Sequence, residues 1–232
     1  MKKDLLSLWP MYCAVFLICM ILAVSGSRAV TAWSENQPVR RQRVFVIDAG
    51  HGGEDGGAVS CTGVPESRIN LQIALRLRDL MHLMGYGTYM IRTTDTAVYT
   101  EGKTVAEKKI SDLKNRVKLV NAQDNPILVS IHQNYFGQSR YCGAQVFYNR
   151  ICGAEELAAA LQSSFLQTLN PGSNRQCKPS SNVYLMEHIQ CPGILVECGF
   201  LSNAAEEALL RREDYQKKLC CVIAAALAQG AN

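Results

Sequence analysis

Short runs of β-branched and aliphatic residues alternate along this chain with segments of helical spacing, and that alternation constrains the fold more than any other feature. Val44–Asp48 (VFVID) is the first such run, and it stops at Gly50. Its length and branching are those of a buried strand. Glu66–Met84 then places Ile69, Ile73, Leu77, Leu80 and Met84 on one helical face, closed by Gly85. Gly87–Arg92 predicts a second strand. Leu113, Val117 and Val120 predict a helix over Asp112–Ala122, after a polar loop over Thr93–Lys109. Pro126–His132 and Gly143–Tyr148 read as the third and fourth strands. Ala154–Leu169 reads as a helix ended by Pro171-Gly172, and residues 170–182 as a loop. Val183–Met186 is expected to be a short strand and Gly193–Glu197 another. Asn203 followed by Glu206 has the spacing of a capping box, with helices from there to about Gln229 and Gly230 as a stop. The expected class is therefore α/β: a single layered domain with a mostly parallel sheet flanked by helices.

Upstream of this body, Met11–Val24 is an uninterrupted apolar run preceded by Lys2 and Lys3. That is the pattern of a secretory signal, predicting an N-terminal apolar helix. Its length lies between an h-region and a spanning helix, so a cleaved signal peptide and an uncleaved signal anchor both stay open over residues 1–25. With an anchor, the N-terminus would contact the membrane. Residues 26–43 read as a linker. Either way the domain over 44–232 is expected to be exported. It would act anchored at the membrane or in the wall space.

Charge separates the same two parts. The chain has 24 Lys+Arg and 20 Asp+Glu, a net charge of +4. Six of the bases and two of the acids precede Val44, leaving 18 of each from there on. A neutral body argues against a nucleic-acid binder, which would carry a basic face. Of the ten cysteines, none forms a C-x-x-C pair, which argues against a zinc ribbon or a thioredoxin motif. Several sit in apolar contexts, such as Val196–Phe200 and Leu219–Ile223. These favour buried thiols over the disulfide framework that an exported chain could form.

Three strands deliver a polar group of metal-binding or acid–base type. The first leads through Ala49-Gly50 to His51, the third ends in Ser130-Ile131-His132, and the last ends in Leu195-Val196-Glu197. Ligands of open parallel sheets bind at the carboxyl ends of strands, so His51, His132 and Glu197 can converge there. Glu66 opens the first helix and points to the same edge. Two histidines and a carboxylate make a three-ligand zinc set with a fourth position open. A second carboxylate can then move the proton. Asp48 is placed to fix the His51 imidazole or its loop. A bland reading stands beside this one: a turn cluster in HGGEDGG, a first-turn acid at Glu66 and satisfied strand-end histidines. A phosphate cradle lacks the Lys-Ser/Thr of a P-loop. His82 is expected to be structural or solvent-facing. His188 lies in the loop before the last strand, with a lesser claim on a substrate groove.

The motifs carry more than their spacing. Asp48-Ala49-Gly50-His51-Gly52-Gly53, Glu66 followed by Asn70-Leu71, Ser130-Ile131-His132-Gln133-Asn134, and Val196-Glu197-Cys198-Gly199-Phe200-Leu201-Ser202-Asn203 resemble the zinc-dependent N-acetylmuramoyl-L-alanine amidases of the amidase-3 family. The blocks occur in the family's order, and the resemblance spans residues 44–229. Asp112–Asn121, with Arg116, fits the family's helix before the third strand. Gly143–Tyr148, Asn174-Arg175, Lys178-Pro179 and Val183-Tyr184-Leu185 are similar to the spore-cortex, CwlD-type branch.

The resemblance implies one zinc ion per chain, held by His51, Glu66 and His132, with Glu197 as the catalytic carboxylate. Asp48, Arg116 and Asn134 are expected to support the site or to bind substrate. It also implies hydrolysis of the amide between N-acetylmuramic acid and L-alanine in peptidoglycan glycan strands bearing stem peptides. In the spore cortex that is the first step toward muramic-δ-lactam. A lipoprotein assists zinc loading in some members. Gln133 and Tyr135 depart from the usual pattern beside His132. The competing class is a non-catalytic or partner-activated peptidoglycan-binding module, and a different metal hydrolase on a similar sheet is a third reading.

Overall fold

The computed structural model describes residues 43–230 and, upstream, Val15, Phe16, Cys19 and Met20, which are helical. Apart from those positions and Arg43, the expected leader and linker lie outside the described residues. Among the described residues no helix is long and apolar enough to cross a membrane.

Six strands form one sheet: β1 (Val44–Ala49), β2 (Gly87–Met90), β3 (Pro126–Asn134), β4 (Gln145–Tyr148), β5 (Lys178–Pro179) and β6 (Gly193–Phe200), in the order β2-β1-β3-β6-β4-β5. β2, β1, β3 and β6 run parallel, whereas β4 is antiparallel to β6 and pairs with β5 in parallel. The helices are α1 (Glu66–Leu83), α2 (Val105–Asn121), α3 (Ala154–Thr168), α4 (Tyr184–His188), α5 (Ala204–Leu210) and α6 (Glu213–Gly230).

Central strands covered on both faces must be apolar at nearly every position, and alternation sorts them. Phe45, Ile47, Val129, Ile131, Ile194 and Val196 face one layer. They are buried against Ile69, Ile73 and Leu77 of α1 and Leu219, Ile223 and Leu227 of α6. Val46, Leu128 and Leu195 face the other, against Val120 of α2 and Leu185 and Met186 of α4. Each such side chain fully withdrawn from water contributes about 1.5–3 kcal/mol. Cys198 and Cys220 are buried in the first layer and Cys191 in the second, as their apolar contexts predict. Cys61, Cys142, Cys152 and Cys221 are exposed.

Three expectations need correction. The second helix starts at Val105, well inside the stretch read as loop. Thr104 accepts from the Glu107 N–H while the Glu107 carboxylate accepts from the Thr104 N–H, a complete capping box. Residues 184–188 form a helical turn rather than a strand, because Leu185 and Met186 together plug the second layer. The Asn203–Glu206 box forms only by half. Asn203 caps α5 through the N–H groups of Ala205 and Glu206, but the Glu206 carboxylate accepts instead from Gly143 and Phe200.

Candidate metal centre

The carboxyl ends of β1 and β3 and the start of α1 bring His51, Glu66 and His132 together. One ligand atom from each lies within 4.8 Å of the others, a group that could hold a metal ion. The two imidazoles meet edge to face, with centroids 5.0 Å apart.

Glu66 is the hub. Its Oε1 accepts from the Gln133 N–H at 3.1 Å and from Asn70 Nδ2 at 3.0 Å, and faces His132 Nδ1 at 3.0 Å. Its Oε2 accepts from the Ala58 N–H at 3.0 Å and faces His51 Nε2 at 3.3 Å. Burial raises the pKa of this carboxyl. The two histidines more than offset that and hold it well below the usual carboxylate range. Asn70 is itself fixed, bonded to the Gly50 carbonyl and to Gln133 Nε2. Gln133 is therefore a buried support for the Glu66 side chain, whereas Tyr135 beyond it is exposed.

His51 sits at φ 60°, in the left-handed region that costs a non-glycine residue energy. The strain is held by two buried arginines. Arg116 donates to the carbonyls of Ala49 and His51, and Arg92 to those of Ala49, Gly50 and Ser67. Asp48 does not reach the His51 ring. It binds Arg116 and accepts from Ser130 Oγ, so it fixes the loop through Arg116. Asp112 holds the same guanidinium from its other side at 2.6 Å. The residue that orients the ring is Asp55, 3.0 Å from His51 Nδ1, which leaves Nε2 aimed at Glu66. Burial lowers the His51 pKa, but Asp55 and Glu66 outweigh it and push it up to about 9.

Glu197 completes the edge. It is the register partner of His132 across β3 and β6, so the two share a face of the sheet. Its Oε2 is buried and, among the described residues, has no hydrogen-bond partner. Burial pushes its carboxyl up to about 7, with His132 opposing and Glu66 reinforcing the shift. Cys198 points into the core on the opposite face, as alternation predicts.

Asn134 contributes its backbone carbonyl, to the Leu201 N–H, and is not among the ligand atoms. His82 bonds Thr88, and His188 stacks on Tyr184, its carbonyl reached by Asn121 at the far end of the sheet; neither approaches the site. Asp55, Arg92, Asn70 and Gln133 are functional neighbours that spacing did not single out. Asn70 and Gln133 stood in the sequence only as members of the quoted motifs, and Asp55 only as part of the glycine-rich turn after His51.

The residues fit an ion of the zinc type on two observations. The donor set is two imidazoles and a carboxylate. The surroundings are cut to it by glycines: a Cβ on Gly50 would stand 2.2 Å from the His132 ring, and one on Gly57 2.6 Å from Glu66 Oε2. Gly50→Ala is therefore expected to displace the His132 ring and weaken the hold of this group on a metal ion. Elemental analysis should show substoichiometric zinc in a chain of unchanged helix content. Full zinc occupancy in this variant would contradict the cradle.

A family model described as N-acetylmuramoyl-L-alanine amidase matches residues 45–229. The germination-specific N-acetylmuramoyl-L-alanine amidase of Bacillus subtilis is 33% identical over 217 residues, covering 93% of this chain and 91% of the relative. Among solved structures, the CwlD amidase from Clostridioides difficile, determined in complex with the GerS lipoprotein, superimposes with a TM-score of 0.77 at 37% identity, covering 81% of this chain and 97% of that one. An N-acetylmuramoyl-L-alanine amidase from Clostridium difficile 630 does so with a TM-score of 0.70 at 30% identity, covering 81% and 96%. The chain belongs to the amidase-3 family of N-acetylmuramoyl-L-alanine amidases.

Proposed function

We propose that the chain hydrolyses the amide between the lactyl group of N-acetylmuramic acid and L-alanine of the stem peptide, outside the cytoplasmic membrane, during maturation of the spore cortex. The observation that carries this reading is the buried Oε2 of Glu197, without a hydrogen-bond partner among the described residues, beside a His–Glu–His group on one sheet edge. His51, Glu66 and His132 would hold one zinc ion. When bound, zinc supplies Lewis acidity for a carbonyl oxygen and makes hydroxide available near neutral pH. Glu197 takes the proton of the attacking water at its free Oε2 and returns it to the departing L-alanine nitrogen. Its raised pKa suits a group that must both accept and give a proton near neutrality. Asp55 holds His51 in one orientation, and Arg92 and Arg116 fix the loop through its Gly50 and His51 carbonyls.

The likeness to the germination-specific relative supports the cortex assignment, and the lipoprotein bound to the C. difficile amidase supports a lipoprotein partner for this chain as well. The apolar segment before the domain would deliver it across the membrane. Digestion of peptide-bearing glycan with the zinc-loaded protein, followed by mass spectrometry, tests the reading. Free stem peptides beginning in L-alanine, with intact glycan, are expected. Binding without release would favour the non-catalytic module, and cleavage at another bond a different hydrolase.

A further inference from the structure

Beyond Glu197 the sheet continues into an open cavity of about 770 Å³, lined by the start of β4, by β5 and by the loop between α3 and β5. Its size is that of a site for a peptide-sized ligand. Gln145 forms the wall nearest the metal centre. It lies opposite Glu197 in the β4–β6 ladder, so His132, Glu197 and Gln145 stand side by side on three neighbouring strands. Arg175 is bolted to the end of that row. It donates from one terminal nitrogen to Gln145 Oε1 at 2.8 Å and from Nε to the Cys142 carbonyl at 2.7 Å, and its guanidinium stacks 4.6 Å from the Phe200 ring. A guanidinium has five N–H donors, and these bonds use two. Arg175 lines the cavity together with Arg140 and Lys178. Among the described residues none of the three cations has a carboxylate within ion-pair distance. Glu206, whose carboxyl feels the Arg175 charge, is occupied by the N–H groups of Gly143 and Phe200.

This row has a direction. The histidines lie on one side of Glu197 and the cations on the other. Hydrolysis divides the substrate in the same way: a sugar ether and carbonyl before the scissile bond, and a peptide after it. Of those halves the glycan is uncharged along its backbone, whereas the stem peptide carries free carboxylates beyond L-alanine. On the amidase reading given above, we infer that this cavity is the leaving-peptide subsite, and that Arg175 and its two neighbouring cations select stem peptides bearing a free carboxylate over amidated ones. Arg175, pre-set by Gln145 and Phe200, has the planar donor fork that fits a carboxylate.

The test uses two muramoyl-peptide substrates, one with free side carboxylates and one with them amidated. Wild-type protein should show a KM about 10–100-fold lower for the acidic substrate, the range of charge-assisted hydrogen bonds. Arg175→Gln should remove most of that difference by raising KM for the acidic substrate alone, with kcat and zinc content unchanged. Lys178→Gln, whose exposed side chain holds nothing in place, should shift the same ratio a few-fold. A separate arm titrates free acidic and amidated stem peptides into Glu197→Gln protein, where no turnover intervenes. Equal KM increases on both substrates in Arg175→Gln, or peptide binding indifferent to amidation, overturns the subsite. If wild-type protein cleaves neither substrate, the amidase reading fails on its own, and the peptide-binding arm still decides the subsite.

Discussion

Replacing Glu197 by glutamine should abolish most of the hydrolysis while leaving the metal in place. The expected loss in kcat is about 10²–10⁴-fold, the usual contribution of a positioned acid–base group. The substitution keeps the shape of the side chain, and among the described residues Glu197 Oε2 accepts no hydrogen bond that the change would break. Glu197 is also absent from the His51–Glu66–His132 group, so zinc measured by elemental analysis should stay at one per chain. A folded, zinc-loaded Glu197→Gln that released stem peptides at the wild-type rate would remove Glu197 from the chemistry. Loss of zinc with loss of activity would instead make Glu197 part of the metal's hold.

That prediction rests on a residue readable from the sequence, and the reason is physical. A strand buried on both faces has to be apolar throughout, so an acid or imidazole at its end is conspicuous, and parallel strands put their ends on one edge. His51, His132 and Glu197 were visible in this way, and Glu66 through its place at a helix start. What surrounds them was not. Arg92 reaches Ala49 and Gly50 across more than 40 positions, and no local pattern marks an arginine that caps carbonyls in a distant loop. Asp48 showed its burial but not its partner, since the choice between the His51 ring and Arg116 depends on how α2 lies over β1. The early start of α2 escaped because Val105 and Ile110 are exposed, so the apolar spacing that marks a helix elsewhere is absent from its first turns. The antiparallel β4 was expected as a strand, but its register against Glu197, on which the peptide subsite depends, is a property of the ladder.

The largest expected effect on stability belongs to Arg116→Met. Arg116 and Asp48 are 2% and 1% exposed, and the guanidinium also holds Asp112 and the carbonyls of Ala49 and His51. Removing one member of such a pair leaves the other charge buried without a counter-ion, at a cost of about 3–5 kcal/mol. For a domain of this size that lowers the midpoint of thermal unfolding by about 6–20 °C. The pH dependence supplies the sign. Burial raises the Asp48 pKa, but Arg116 and Ser130 outweigh it and hold it below its ordinary value. The stability this contributes is present above the ordinary carboxyl pKa of about 3.9 and is lost as pH falls through the lower folded value. In Arg116→Met the same burial acts without its counter-charge, so protonation of Asp48 relieves the variant. The gap between wild type and variant should therefore be widest near neutral pH and narrow as acid is added. Adding Asp48→Asn to Arg116→Met should recover part of the loss at pH 7 and flatten this dependence. Chemical denaturation at several pH values measures all three proteins. A pH-independent gap would place the role of Arg116 in its bonds to the His51 loop rather than in its pairing with Asp48.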